Sequence, residues 1–211
     1  MKFSIGGNLA KVLVMLLAPL LGINVALLPL QLLWLNLLTD GLMGLGLGME
    51  PAEQNTMRRP PRSPQASLFA GGSARHMLWV GLAIAAVGLL VARIYHAPGD
   101  PSDKTWQTML FTTLAFTQIG HALGLRSVAK AHLLDTRANP AIFWILPVTI
   151  LLQLVAIYLP FLDDFFEVVP LSADRLAVCI LCGLLVWSLV EAEKLLFPPG
   201  PTGRLRRADP V

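Results

Sequence analysis

Asn36, Thr39 and Asp40 stand close together inside an otherwise apolar run. At 3.6 residues per turn Asn36 and Asp40 fall one turn apart with Thr39 beside them, an arc of roughly 100° on one helix face. An amide oxygen, a hydroxyl and a carboxylate are the hard donors that calcium, manganese, magnesium or an alkali ion takes, whereas softer metals select thiolates and imidazoles. The competing reading is that the three are interhelical hydrogen-bonding glue. Upstream, Asn8 and Lys11 are three residues apart and share a face. The Lys11 ammonium either pairs with Asp40, each charge offsetting the other's desolvation, or snorkels to a membrane edge. In a later apolar run Gln118 and His121 also share a face and read as a hydrogen-bonded core pair. Cys179 and Cys182 make neither a disulfide framework nor a complete metal site and read as small hydrophobes.

Groups of this kind need elements that hold them in a dry place. Of the 211 residues 55% are hydrophobic and only 14% charged, with a mean hydropathy of +0.65, so the solvent expected is a lipid bilayer. The net charge of +3 does not signal nucleic acid, because the basic residues cluster in short segments between apolar stretches. Stretches long enough to cross a core of roughly 30 Å occur at about 4–21, 26–48, 76–94, 106–125, 141–160 and 173–196. The expected fold is therefore all-α, a polytopic membrane bundle of six transmembrane helices. Met1-Lys2 leads straight into the first apolar segment, with no small-residue cleavage site, so no secretory leader is expected.

Charge sets the expected orientation. Arg58, Arg59, Arg62 and Arg75, then Arg126, Lys130 and Arg137, then Arg204, Arg206 and Arg207 alternate with acidic or short loops carrying Asp100, Asp103, Asp163, Asp164 and Glu167. The arginine-rich segments and both termini should be cytoplasmic. The proline-rich stretch from Glu50 to Pro64 resists both helix and sheet. It divides the chain into a first hairpin (1–48), a linker (49–75), a four-helix unit (76–196) and a basic tail (197–211). Glycines at 41, 44, 46 and 48 weaken the helix beyond Asp40. They serve either local unwinding that frees carbonyls for an ion or a small-residue packing face.

The run Leu28-Pro-Leu-Gln-Leu-Leu-Trp-Leu-Asn-Leu-Leu-Thr-Asp-Gly41, with Leu47-Gly-Met-Glu-Pro51 and Met57-Arg-Arg-Pro-Pro-Arg-Ser-Pro64, resembles the sixth transmembrane helix and following loop of calcium-transporting P-type ATPases. The six-span layout is similar to that family's helices five to ten. The resemblance implies that Asn36 and Asp40 match ligands of the family's second calcium site and that Asn8, Thr39 and Asp40 match ligands of its first. Two positions depart: a family glutamate in the fifth helix is Lys11 here, and one in the eighth falls at Gln118. Lys11 would then stand where the first ion sits, leaving one transported cation, Ca2+ or Mn2+, or a built-in countercharge.

The family's phosphorylated aspartate lies in Asp-Lys-Thr-Gly-Thr, whereas Asp103-Lys104-Thr105 is followed by Trp106, a chance likeness. No catalytic residue for ATP hydrolysis and no cofactor site is expected in this chain, so ATP and Mg2+ would act only through missing domains. The implied partners are the bilayer and the remaining half of a pump, helices one to four and the cytoplasmic domains. The implied location is the plasma (inner) membrane. The alternatives are a truncated or decayed pump fragment with a structural or interaction role, or an autonomous channel or carrier using Asp40.

Overall fold

The computed structural model describes residues 1–23, 25–50, 72–96, 103–126 and 139–196. Most of the linker, most of the 126–140 connection and the whole tail lie outside them, and with them the orientation cues at Arg58, Arg59, Arg62, Asp100, Lys130, Arg137, Arg204, Arg206 and Arg207. The described residues are helical, with no strand among them, as an apolar solvent requires: a spanning segment must satisfy its own backbone.

Helix α1 (Lys2–Leu17) ends in a 3-10 turn, Pro19–Leu21, closed by Gly22 in the left-handed conformation at φ 81°. A continuous helix then runs from Pro29 to Gly48 in three pieces: α2 (Pro29–Trp34), a π-helical segment (Leu35–Asp40) and α3 (Gly41–Gly48). Helices α4 (Ser73–Tyr95), α5 (Thr105–Leu125), α6 (Pro140–Tyr158), α7 (Pro160–Phe166) and α8 (Ala173–Leu196) complete the fold. The seven-residue α7 falls where the sequence suggested only a loop. Pro160 opens it, and Glu167 at φ 50° closes it.

Contacts at the two ends show that six helical passages alternate in direction. At one end the Phe3 ring lies 5.5 Å from His121 and His76 meets both His121 and Glu193. There too Asn139 donates to the Gly46 carbonyl at 2.9 Å and to Glu50 at 3.1 Å. At the other end Gln107 reaches the Val25 carbonyl, Gln31 the Phe166 carbonyl and Lys104 the Glu167 carboxylate. Four passages, Pro29–Gly48, Ser73–Tyr95, Ala141–Tyr158 and Ala173–Leu196, are long and apolar enough to cross a bilayer by themselves. Of the other two, α1 has 16 residues, about 24 Å of helix. Helix α5 is the hub: it packs on α4 and α8, and every residue from Gln107 to Ala122 is buried. A helix surrounded by protein need not be apolar all round, so α5 carries Gln107, Thr108, Thr112, Thr113, Thr117, Gln118 and His121.

The α5–α8 contact depends on two facing glycines. A Cβ on Gly120 would fall 2.1 Å from the Gly183 carbonyl oxygen, and one on Gly183 would fall 2.7 Å from that of Phe116. Because these neighbours are backbone atoms, no rotamer change relieves the clash. Gly120→Ala or Gly183→Ala should therefore lower unfolding stability by about 1–3 kcal/mol. Gly44→Ala, which meets nothing within 4 Å, should leave it unchanged or raise it slightly. Thermal or denaturant unfolding followed by circular dichroism in detergent distinguishes the two.

Candidate functional site

Lysine at position 11 is set by α1, and Asn36 and Asp40 by the π-helical segment that crosses it. The Lys11 ammonium donates to Asp40 Oδ2 at 2.6 Å and to Asn36 Oδ1 at 2.5 Å. Its residue is only 4% exposed, so of the two readings of Lys11 the pairing holds and snorkelling does not. The long lysine stem allows this, because it spans the space between two backbones that need not meet at one depth.

Around the pair lies a groove of about 730 Å³ lined by Ser4, Asn8, Lys11, Val12, Met15, Leu16, Leu32, Asn36, Asp40 and Gly41. Asn8 and Asn36 are exposed along it. Thr39 is not among its lining residues. It is fully buried, and its hydroxyl has no partner among the described residues. The arc expected from the sequence is thus split: Asn36 and Asp40 share the groove while Thr39 turns into the bundle. Asp40 Oδ1, the oxygen Lys11 does not use, also lacks a partner. It faces Gly7, as does the side-chain amide of the fully buried Gln118.

Two local expectations need correction. The helix does not unwind at the glycines beyond Asp40, since Gly41–Gly48 is α-helical. In a bilayer the lost backbone bonds would outweigh glycine's weak propensity, and Gly46 instead lets Ile142 and Ile145 approach. The irregularity lies one turn earlier, in the π segment, a distortion frequent at functional sites. Gln118 and His121 are both buried on α5 but do not pair with each other. His121 Nε2 meets His76 Nε2 at 3.2 Å across to α4, and the Gln118 amide has no partner. Sequence reading missed His76 and Glu193 because their partner lies on another helix, which spacing along one helix cannot reveal.

Asp103 accepts the Thr105 N–H at 2.8 Å in a local turn just ahead of α5, an ordinary use of an aspartate there. Among the described residues no group of three or more His, Cys, Asp or Glu side chains could hold a metal ion. Any cation at the groove would rely on neutral oxygens beside the single Asp40 carboxylate.

Residues 24–196 match the family described as cation transporting ATPase, C-terminus. The chain is 34% identical over 173 residues to the calcium-transporting ATPase of Bacillus subtilis (strain 168), covering 81% of this chain and 19% of that protein. It is 28% identical over 193 residues to calcium-transporting ATPase 1 of Yarrowia lipolytica, covering 91% and 21%. A probable plasma membrane-type calcium-transporting ATPase 6 of rice is 29% identical over 158 residues, covering 72% and 15%. The chain thus spans about a fifth of the length of these relatives.

The residues lining this groove include no second charge to which either Lys11 or Asp40 could turn. Lys11→Ala or Asp40→Asn singly should each destabilise the bundle by about 3–5 kcal/mol, and the double variant by clearly less than the sum. Additive losses in a thermal-unfolding cycle would mean that the two charges are independent.

Proposed function

The chain belongs to the C-terminal family of cation-transporting ATPases, and on that premise we propose that it is the ion-binding membrane half of a P-type cation pump, with its site in the groove between α1 and the π segment. The observation that carries this is the Lys11 ammonium held between Asn36 and Asp40. A cationic group already occupies the oxygen donors, so the site recognises positive charge by construction. Asn36 and Asp40 are the principal donors, Asn8 lies along the same groove, and Thr39 and Gln118 stand behind it with unpartnered polar atoms. Lys11 acts as a tethered countercharge that takes one ion's place and limits the load to a single cation, Ca2+ or the similar Mn2+.

Polar groups on the outside of a membrane bundle are costly unless covered. The remaining half of the pump covers the groove and supplies further oxygen ligands, while ATP and Mg2+ act in its cytoplasmic domains. The bundle end bearing Glu50, Arg126 and Asn139 faces the cytoplasm of a plasma (inner) membrane, with both termini on that side. The chain divides functionally into the site hairpin 1–48, the linker 49–75, the bundle 76–196 and the tail 197–211.

The test is radiolabelled calcium binding and ATP-driven uptake in liposomes holding the chain together with the remainder of the pump. Asp40→Asn should abolish binding, and Lys11→Met should raise affinity about tenfold or more by removing a competing charge. Binding indifferent to Asp40 would refute the site. A combination that binds but never transports would favour the structural, decayed-pump reading, and flux without ATP would favour an autonomous carrier. Purified alone, the chain should form no acid-stable phosphoenzyme from labelled ATP, and phosphate recovered on Asp103 would contradict this.

A further inference from the structure

Beyond the groove, a second file of polar groups leads inward from one end of the bundle. Glu193 on α8 meets His76 Nδ1 on α4, and His76 Nε2 meets His121 Nε2 on α5. His121 Nδ1 has no partner and faces Gly6, which in α1 precedes the Gly7 that faces Gln118. His121 and Gln118 are fully buried, and both polar atoms of the Gln118 amide are unpartnered. A buried polar atom without a hydrogen bond costs about 1–3 kcal/mol. All three lie where α5 meets Gly6 and Gly7 of α1, and an internal water, which makes two to four such bonds, would satisfy them.

We propose that Glu193, His76 and His121 form a proton relay between the bundle's charged end and water held at Gln118. Glu193 is the open terminus, its side chain 14% exposed against 9% for His76. In an inward-to-outward step a hydrated proton at that water passes to His121 Nδ1, leaving a neutral water behind, and the Nε2–H of His121 passes to His76 Nε2. The Nδ1–H of His76 then passes to the Glu193 carboxylate. Each imidazole that gains a proton on one nitrogen sheds the one on its other nitrogen, so one proton moves, Glu193 ends protonated and no electrons are transferred. Gln118 cannot relay, because an amide neither gives nor takes a proton here, and it positions the water instead. Two histidines in series with a carboxylate suit this task, since an imidazole can take a proton on one ring nitrogen as it releases one from the other. The charged groups near the relay are largely engaged elsewhere. Lys194 holds Glu191 and the Arg126 carbonyl, Arg126 pairs with Glu50, Arg75 adjoins His76 along α4, and α1 offers the Phe3 ring. The relay does not depend on which cation, if any, the groove carries.

The test uses the full chain with 15N-labelled histidine and glutamine in lipid bilayers, observed by solid-state magnetic resonance. The wild type should show a water cross-peak at the Gln118 amide and rapid exchange of the His121 ring proton with water. Glu193→Gln keeps the side chain's size and its hydrogen bond to His76 but cannot accept a proton, so it should slow that exchange at least tenfold with helix content unchanged. Gly7→Ala puts a methyl 3.4 Å from Gln118 Nε2, an ordinary contact, in the space of the water, and should remove the cross-peak. No water at Gln118 in the wild type, or exchange unaffected by Glu193→Gln, overturns the relay.

Discussion

A hydrocarbon solvent offers no hydrogen bonds, and most of what distinguishes this bundle follows from that deficit. Each buried polar side chain must find its complement on another helix, so polar contacts become the joints of the fold. Gln31 accepts from the Leu28 N–H and donates to the Phe166 carbonyl, tying the start of α2 to the end of α7. Asn139 caps α6 through the Ala141 and Ile142 amides and reaches across to Gly46. These joints lie near the helix ends. The Lys11–Asp40 contact lies midway, where the same rule applies to full charges and an unmade bond is most costly.

The same deficit explains why α5 is the hub. Surrounded by neighbours, it can carry threonines, glutamines and a histidine that a lipid-facing helix could not. Its glycine contact with α8 brings two backbones together, so these two helices behave as one body. The hairpin of α1 with the segment from Pro29 to Gly48 is the portion bearing both the ion-type donors and the irregular turn. Rigidity and specialisation thus sit on opposite sides of α5.

Much of this was legible in the sequence, because bilayer thickness makes length and apolarity decisive. The helical passages fall within a few residues of the apolar runs, and the Lys11–Asp40 contact is one of the two readings that the charges allowed. What escaped has a common cause. The π segment, the inward turn of Thr39, the separation of Gln118 from His121 and the meeting of His76 with Glu193 all depend on relations between helices, or on a local change of pitch. Spacing along a single ideal helix carries neither. The glycines past Asp40 misled for a related reason: propensity measured in water weighs little where an open turn would face lipid.

The π segment holds one residue more than an α-helical path of the same rise would need, and such a surplus is not pinned to one place. Passing it one position along the chain exchanges a single hydrogen bond, yet rotates the intervening residue by about 100°. Asn36 and Asp40 lie within the six residues that share the surplus. The helix therefore contains its own vernier: the donors facing the groove could be exchanged for their neighbours with both ends of the helix held still.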